Sequence, residues 1–337
     1  MADALLELDC VSMRFGQHLT LGDQLAARLG TAVETRDVQA VSDVSLKLHQ
    51  GETLGLVGES GCGKSTLGRI AAGILAPTGG TATLDGAPVM IGGRKTTTRV
   101  QTIFQDPFAS LDPRMRIGQL IAEGPVVHGL VSRAEAPAYV AGQLARVGLE
   151  PAFAERYPHQ FSGGQRQRIA IARALAMRPD VLICDEPVAS LDVSIQAQII
   201  NLFLDLRREL EIACLFISHD LSVVRHIADR VAIMYLGRIA ETGPAGAVYA
   251  HPRHPYTRAL LDSVPRLVVA DGATVEFRAI SGEIPSPLAP PPGCRFHPRC
   301  PLAETRCRNE TPRLDEIAPA HRSACHFPNR VGAPTGS

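Results

Sequence analysis

Residues 58–65, Gly58-Glu59-Ser60-Gly61-Cys62-Gly63-Lys64-Ser65, constrain this chain more than any other stretch. They fit the pattern GxxxxGK followed by Ser or Thr, and Thr66 comes next. An apolar run, TLGLV at 53–57, precedes them, and a helical pattern over 65–75 follows. Strand, glycine loop and helix start in that order make a phosphate cradle. The glycines let the backbone curl until its N–H groups face one anion, and the helix N-terminus adds partial positive charge. Lys64 is then placed to reach the terminal phosphates and the Ser65 hydroxyl to ligate Mg²⁺. By itself the loop specifies a nucleotide and leaves the machine open.

Strand-like alternation at 5–13, 40–48 and 81–85, with Asp85-Gly86 as a hairpin signal, predicts antiparallel pairing beside that unit. Two further apolar runs, 181–184 and 214–217, are short enough to be buried parallel strands. Helical patterns at 164–177 and 195–211 precede them, so the core reads as α/β with a parallel sheet. Residues 118–150 read as a helical subdomain, and 231–241 as two strands turning near Gly237. An insertion spans 16–39, with helical character around residues 25–29.

The run at 181–184 ends in Asp185 and Glu186. A carboxylate at a strand end beside a phosphate loop can hold Mg²⁺, which suits Asp185. A second can polarise an attacking water, which suits Glu186 as general base. Without the loop, the pair would read as a solvated acidic strand end. Ser162-Gly163-Gly164-Gln165 opens a helix and offers a second anion site by the dipole argument, although Ser-Gly-Gly is also a commonplace cap. Two such helix starts and one nucleotide suggest that each serves a different copy of the protein.

Together these residues resemble the nucleotide-binding subunit of ABC transporters, over about residues 5–265. The resemblance implies a P-loop NTPase core with an antiparallel β subdomain and a helical subdomain at about 106–165, all within 1–250. It makes 58–66 the Walker A loop and Asp185 with Glu186 the Walker B pair. Residues 162–165 look like the signature that contacts the phosphate held by the opposite subunit, with Phe161 where the family usually has Leu. Gln105 looks like the Q-loop glutamine, sensing Mg²⁺ and water while touching the membrane partner. Asp192, in Ser190-Leu191-Asp192, resembles the D-loop, and His219 the switch histidine. Phe15 is the candidate for stacking on adenine. The expected activity is ATP hydrolysis in a pair of such subunits, sister or self. The expected partners are two transmembrane permease subunits on the cytoplasmic face of the inner membrane, and indirectly an extracellular substrate-binding protein. A soluble ABC-type ATPase uncoupled from transport is the alternative.

After residue 250 the composition changes. A proline-rich stretch, 251–292, reads as a linker, 293–328 as a Cys-rich extension poor in core, and 329–337 as a disordered tail. The segment around 254–260 and the run PPGCRFHPRCPLA resemble the C-terminal extension of oligopeptide/dipeptide importer ATPases, in particular the second ATPase subunit of the pair. Cys294, Cys300, Cys307 and Cys325 are separated by five, six and seventeen residues, with His297, His321 and His326 nearby. A 4Fe–4S cluster needs four thiolates, and the family resemblance favours it. Structural zinc also accepts four, though its usual close Cys pairs are missing. Free thiols or disulfides are the third reading. Of the other cysteines, Cys184 and Cys214 read as core, and alkylation of Cys62 is expected to block the loop.

Charge and hydropathy exclude some classes. Lys+Arg and Asp+Glu both number 34, which gives no electrostatic argument for nucleic acid. No apolar run approaches the roughly 20 residues that span a bilayer, and the N-terminus lacks a basic, then apolar, signal pattern. Any membrane role therefore runs through a partner. The solute is not written in the chain.

Overall fold

The computed structural model describes residues 4–16, 37–106, 110–264, 266–269, 273–276 and 280–331. Most of the 16–39 insertion, with its expected helix, lies outside the described residues, as do 332–337 of the tail.

The chain opens with two long strands, β1 (Leu6–Phe15) and β2 (Val38–Leu48). The buried β3 (Thr53–Val57) leads through the glycine loop into α1 (Lys64–Ala71). Then come β4 (Gly79–Leu84), β5 (Ala87–Pro88), the two-residue strands β6 (Met90–Ile91) and β7 (Arg94–Lys95), and β8 (Val100–Ile103). Three helices follow: α2 (Ile117–Val127), α3 (Ala136–Arg146) and α4 (Gly163–Leu175). The core resumes with β9 (Val181–Asp185), α5 (Val193–Leu210), β10 (Ala213–Ser218), α6 (Leu221–Ile227), β11 (Arg230–Tyr235) and β12 (Arg238–Pro244). The C-terminal part carries α7 (Ala245–Ala250), α8 (Pro255–Asp262), the hairpin β13 (Arg266–Val269) and β14 (Ala273–Glu276), α9 (Thr305–Asn309), β15 (Asp315–Ala318) and β16 (His321–Ser323).

β3, β9 and β10 are buried at every residue. Strands without polar alternation need cover on both faces, so they occupy the centre of a parallel sheet. The main sheet runs β15-β16-β12-β11-β3-β10-β9-β8. Its members from β11 to β8 are parallel neighbours, while β12, β16 and β15 pair antiparallel. The second sheet, β2-β1-β4-β5, is antiparallel. Its β4–β5 turn has positive φ at both Asp85 (49°) and Gly86 (75°), the conformation an Asp-Gly hairpin favours. One apolar core joins this sheet to α1 and one face of the main sheet. A second fills the other face, under α2 to α5.

The stretch expected as a linker is in part a packed element. Helix α8 buries Pro255, Tyr256, Thr257 and Leu260. Phe296 lies 5.2 Å from the Tyr235 ring, 5.3 Å from Tyr256 and 5.8 Å from His254. The Cys-rich segment, though core-poor by composition, uses the core of its neighbour. β16 adds to the main sheet beside β12, with Glu241 opposite Ser323. The wholly buried Glu241 carboxylate accepts from the Arg253 N–H (2.7 Å), the His254 N–H (2.9 Å) and His321 Nε2 (2.7 Å). Three donors on one buried carboxylate offset its desolvation and tie the C-terminal segment to β12.

Candidate functional site

Strand register builds the site. Along β10, Ser218 stands opposite Val57 of β3 and Ile217 opposite Asp185 of β9. Along β8, Ile103 stands opposite Cys184. The C-terminal ends of four parallel strands are therefore level, and Gly58, Gln105, Glu186 and His219 leave the sheet along one edge. Beyond the carboxyl ends of such strands lies the usual ligand crevice of an open α/β sheet.

At Gly63 the loop adopts φ 105°, and a Cβ there would stand 2.1 Å from the Ala40 carbonyl oxygen, so only glycine fits. Lys64 is buried, and its Nζ donates to the carbonyls of Gly58 (2.7 Å) and Glu59 (3.0 Å). Ser65 Oγ donates to Asp185 Oδ1 at 2.8 Å. Burial pushes the Asp185 carboxyl up, and the Ser65 hydrogen bond opposes that shift. An ammonium, a hydroxyl and a carboxylate thus gather at the start of α1. This donor set fits a metal-bound polyphosphate: the two oxygens suit a hard cation and the ammonium suits phosphate. Ser60 and Gly61 are exposed on the loop, Thr66 is half-buried in the first turn of α1, and Cys62 is buried with its thiol pushed up by desolvation.

Glu186 takes a left-handed φ of 48°, its N–H bonded to the Ile217 carbonyl at 2.9 Å. Its Oε2 receives Gln105 Nε2 at 3.1 Å and lies 3.2 Å from His219 Nδ1. Three residues read separately in the sequence, from the ends of three strands, meet on one carboxylate oxygen. A carboxylate oriented by an amide and an imidazole is equipped to take a proton from a water.

Residues 162–165, expected as a second anion site, open α4. Ser162 caps α4, its hydroxyl accepting from the Gln165 N–H (3.4 Å) while Gln165 Oε1 accepts from the Ser162 N–H (3.1 Å). This reciprocal capping box explains the helix start. At Gly164 a Cβ would meet Ile195 Cγ2 at 2.5 Å, so the glycine lets α4 approach α5 closely. Gly163 packs near Leu191, and Asp192 is the residue before α5. Among the described residues, no hydrogen bond joins 162–165 or Asp192 to the phosphate loop. Phe15 ends β1 opposite Val38, with its side chain exposed.

Cys294, Cys300, Cys307 and Cys325 line a single cavity of about 10 Å³ with His254, Phe296, Leu302 and Phe327. All eight cysteines of the chain are free. Burial pushes the Cys294 thiol up, Cys300 to about 11 and Cys325 to about 12. The donor set matches a four-thiolate site, but as placed no group of three or more His, Cys, Asp or Glu among the described residues could hold a metal ion. The expected iron–sulfur ligands are thus gathered without being in ligand geometry. His297 and His326 border the same cavity, whereas His321 is bonded to Glu241. Cys184 and Cys214 lie in the core as expected, with sulfurs 3.5 Å apart.

One part of the site was not legible in the sequence. Glu59 donates its N–H to Tyr256 Oη at 2.9 Å, and its carboxylate receives both terminal nitrogens of Arg299 at 2.7 and 3.0 Å. The only local signal is an acidic residue in an anion-binding loop.

Residues 41–189 match the family model described as ABC transporter, and 240–307 match the oligopeptide/dipeptide transporter C-terminal region. The oligopeptide transport ATP-binding protein AppF of Bacillus subtilis (strain 168) is 51% identical over 296 residues, 86% of this chain and 90% of that protein. This chain belongs to the ATP-binding subunits of oligopeptide/dipeptide ABC transporters. The di/tripeptide transport ATP-binding protein DppF of Pseudomonas aeruginosa (strain UCBPP-PA14) is 50% identical over 294 residues, with the same coverage of both chains. Among solved structures, the dimeric post-hydrolysis state of the ATP-binding cassette MJ0796 bound to ADP and Pi matches with a TM-score of 0.58. That match has 25% identity and covers 71% of this chain and 98% of that one. For an ABC subunit of this type the first match spans the phosphate loop and Glu186. The second spans Tyr256, Cys294, Arg299, Cys300 and Cys307.

Proposed function

We propose that this subunit hydrolyses Mg-ATP to drive uptake of oligopeptides or dipeptides through two separate transmembrane permease subunits, on the cytoplasmic face of the inner membrane. The observation that carries this reading is the meeting of Gln105, Glu186 and His219 on one oxygen, beside a loop that presents Lys64 and Ser65. Names of the relatives supply the cargo class. No helix among the described residues is long and apolar enough to cross a membrane, which agrees with a separate membrane partner.

In this reading the N–H groups of the loop, from Gly58 through Thr66 and including Ser60, Gly61, Cys62 and Gly63, hold the phosphates. Lys64 places its charge on the terminal one. Ser65, Asp185 and Gln105 are the protein's oxygens toward Mg²⁺, which supplies charge stabilisation at the phosphates when bound. Glu186 accepts the proton of the attacking water, and His219 and Gln105 hold its carboxylate in line. Phe15 stacks on adenine. A second subunit, sister or self, presents Ser162, Gly163, Gly164 and Gln165 to the phosphate, with Asp192 at the seam. Within one chain, no hydrogen bond joins 162–165 to the loop among the described residues, which agrees with this two-chain site. An extracellular substrate-binding protein delivers the peptide.

The four C-terminal cysteines are proposed as a 4Fe–4S site, with zinc as the alternative. What supports this is that all four thiols line one cavity, although as placed they are not in ligand geometry. About four iron and four sulfide per anaerobically purified chain are expected. About one zinc in a colourless sample would replace the cluster with a zinc staple, and absence of metal would overturn both. Transport itself is tested in vesicles carrying the whole complex. Peptide and its binding protein should stimulate ATP turnover, and Lys64→Ala should abolish uptake. ATP-driven uptake that persists in Lys64→Ala would refute the assignment.

A further inference from the structure

Glu59 is held at every polar group it has. Its N–H donates to Tyr256 Oη at 2.9 Å, its carbonyl accepts from Lys64 Nζ at 3.0 Å, and its carboxylate takes the fork of Arg299 at 2.7 and 3.0 Å. Both outside partners come from the C-terminal part of the chain. Tyr256 is fully buried in α8. The Arg299 side chain is only 3% exposed, and its other donors reach Ser281 O (3.2 Å) and Tyr235 Oη (3.4 Å). A guanidinium held by three partners does not wander, and a bidentate fork fixes the carboxylate it meets.

A carboxylate beside an anion-binding loop is an electrostatic liability. Left free, it repels the polyphosphate and competes for Lys64. Paired with Arg299 it is neutralised and turned away, and Tyr256 sets the direction of the adjoining backbone. From this geometry we infer that Arg299 and Tyr256 are positioning residues for ATP binding, acting through Glu59 on the conformation and charge of the phosphate loop. This role rests on the nucleotide reading of that loop. It makes the C-terminal segment a support of the phosphate loop.

The consequence is selective. The clamp orders the loop before and during the reaction alike, so losing it weakens ground-state and transition-state binding equally. KM for Mg-ATP rises while kcat changes little. A residue that merely holds the C-terminal segment in place would instead reduce the fraction of folded, active subunits, leaving KM unchanged.

The test uses the full chain in its assembled transporter, with Kd for Mg-ATP and steady-state ATPase as readouts. Arg299→Ala should raise Kd and KM about tenfold or more, with kcat within about threefold. Glu59→Gln, which breaks the fork but also removes the charge facing the phosphates, should raise KM about threefold, less than Arg299→Ala does. The double variant Arg299→Ala with Glu59→Gln should recover most of the affinity lost in Arg299→Ala, because the unpaired charge is then gone. Tyr256→Phe, which keeps the ring, should raise KM about threefold or more. If Arg299→Ala fails to fold, Arg299→Lys takes its place, since it keeps the charge but loses the fork. Unchanged KM in Arg299→Ala or Arg299→Lys, or a double variant no better than Arg299→Ala, overturns the inference. Lys64→Ala separates this failure from failure of the reading beneath it. If that variant also binds Mg-ATP normally, the phosphate loop itself is misassigned.

Discussion

Glu186 departs from ordinary backbone geometry, with a φ of 48° that costs a non-glycine residue about 1–3 kcal/mol. The turn directs its carboxylate to Gln105 and His219, so strain sits where three strand ends converge. Cys62 shows how local surroundings override a motif. Alkylation there is expected to block the loop, yet Cys62 is 4% exposed and burial pushes its thiol up. A soluble maleimide should therefore modify the exposed Cys10 well before Cys62, by at least about tenfold in rate, since reaction needs an accessible thiolate. Peptide mapping after timed labelling reads the order directly, and equal rates would show that the loop opens readily. Glu186 was legible in the sequence as a carboxylate after the apolar run 181–184, whereas Gln105 and His219 were expected only from the resemblance to ABC ATPases. The Arg299–Glu59 pair was not, because its members lie 240 residues apart and neither stands in a pattern that names the other.

The phosphate loop works because β3 is buried throughout and ends level with β9 and β10, a register that apolar runs specify once their burial is granted. Helix α4 depends on a different device, the close approach at Gly164. Gly164→Ala would place a methyl 2.5 Å from Ile195 Cγ2 and should cost about 1–3 kcal/mol, read as a lower Tm. An unchanged Tm would mean that α5 yields without resistance. Alternation and glycine signals revealed the antiparallel strands and the Asp85-Gly86 hairpin. What the sequence hid was the docking of α8 and β16. Their partners, Tyr235 and Glu241, are supplied by a hairpin already assigned to the core, and the His321–Glu241 contact spans 80 residues.

At the scale of the molecule, the C-terminal segment is joined to the ATPase core by a shared sheet, a buried carboxylate and an aromatic cluster. Phe296→Ala should cost about 3–5 kcal/mol, because it empties a site walled by Tyr235, Tyr256 and His254. Urea unfolding that shows a single transition shifted by that amount would mark one cooperative unit. A separate early transition that leaves the core unchanged would mark an independent appendage. In the proposed function, strand ends of this chain assemble an ATP-hydrolysing centre around Glu186 that a second subunit completes. ATP turnover and subunit association in Glu186→Gln decide between this centre and a structural role for the carboxylate. The variant should bind ATP, turn it over about 10²–10⁴-fold more slowly and hold two subunits together around unhydrolysed nucleotide. Turnover at the wild-type rate would contradict this reading.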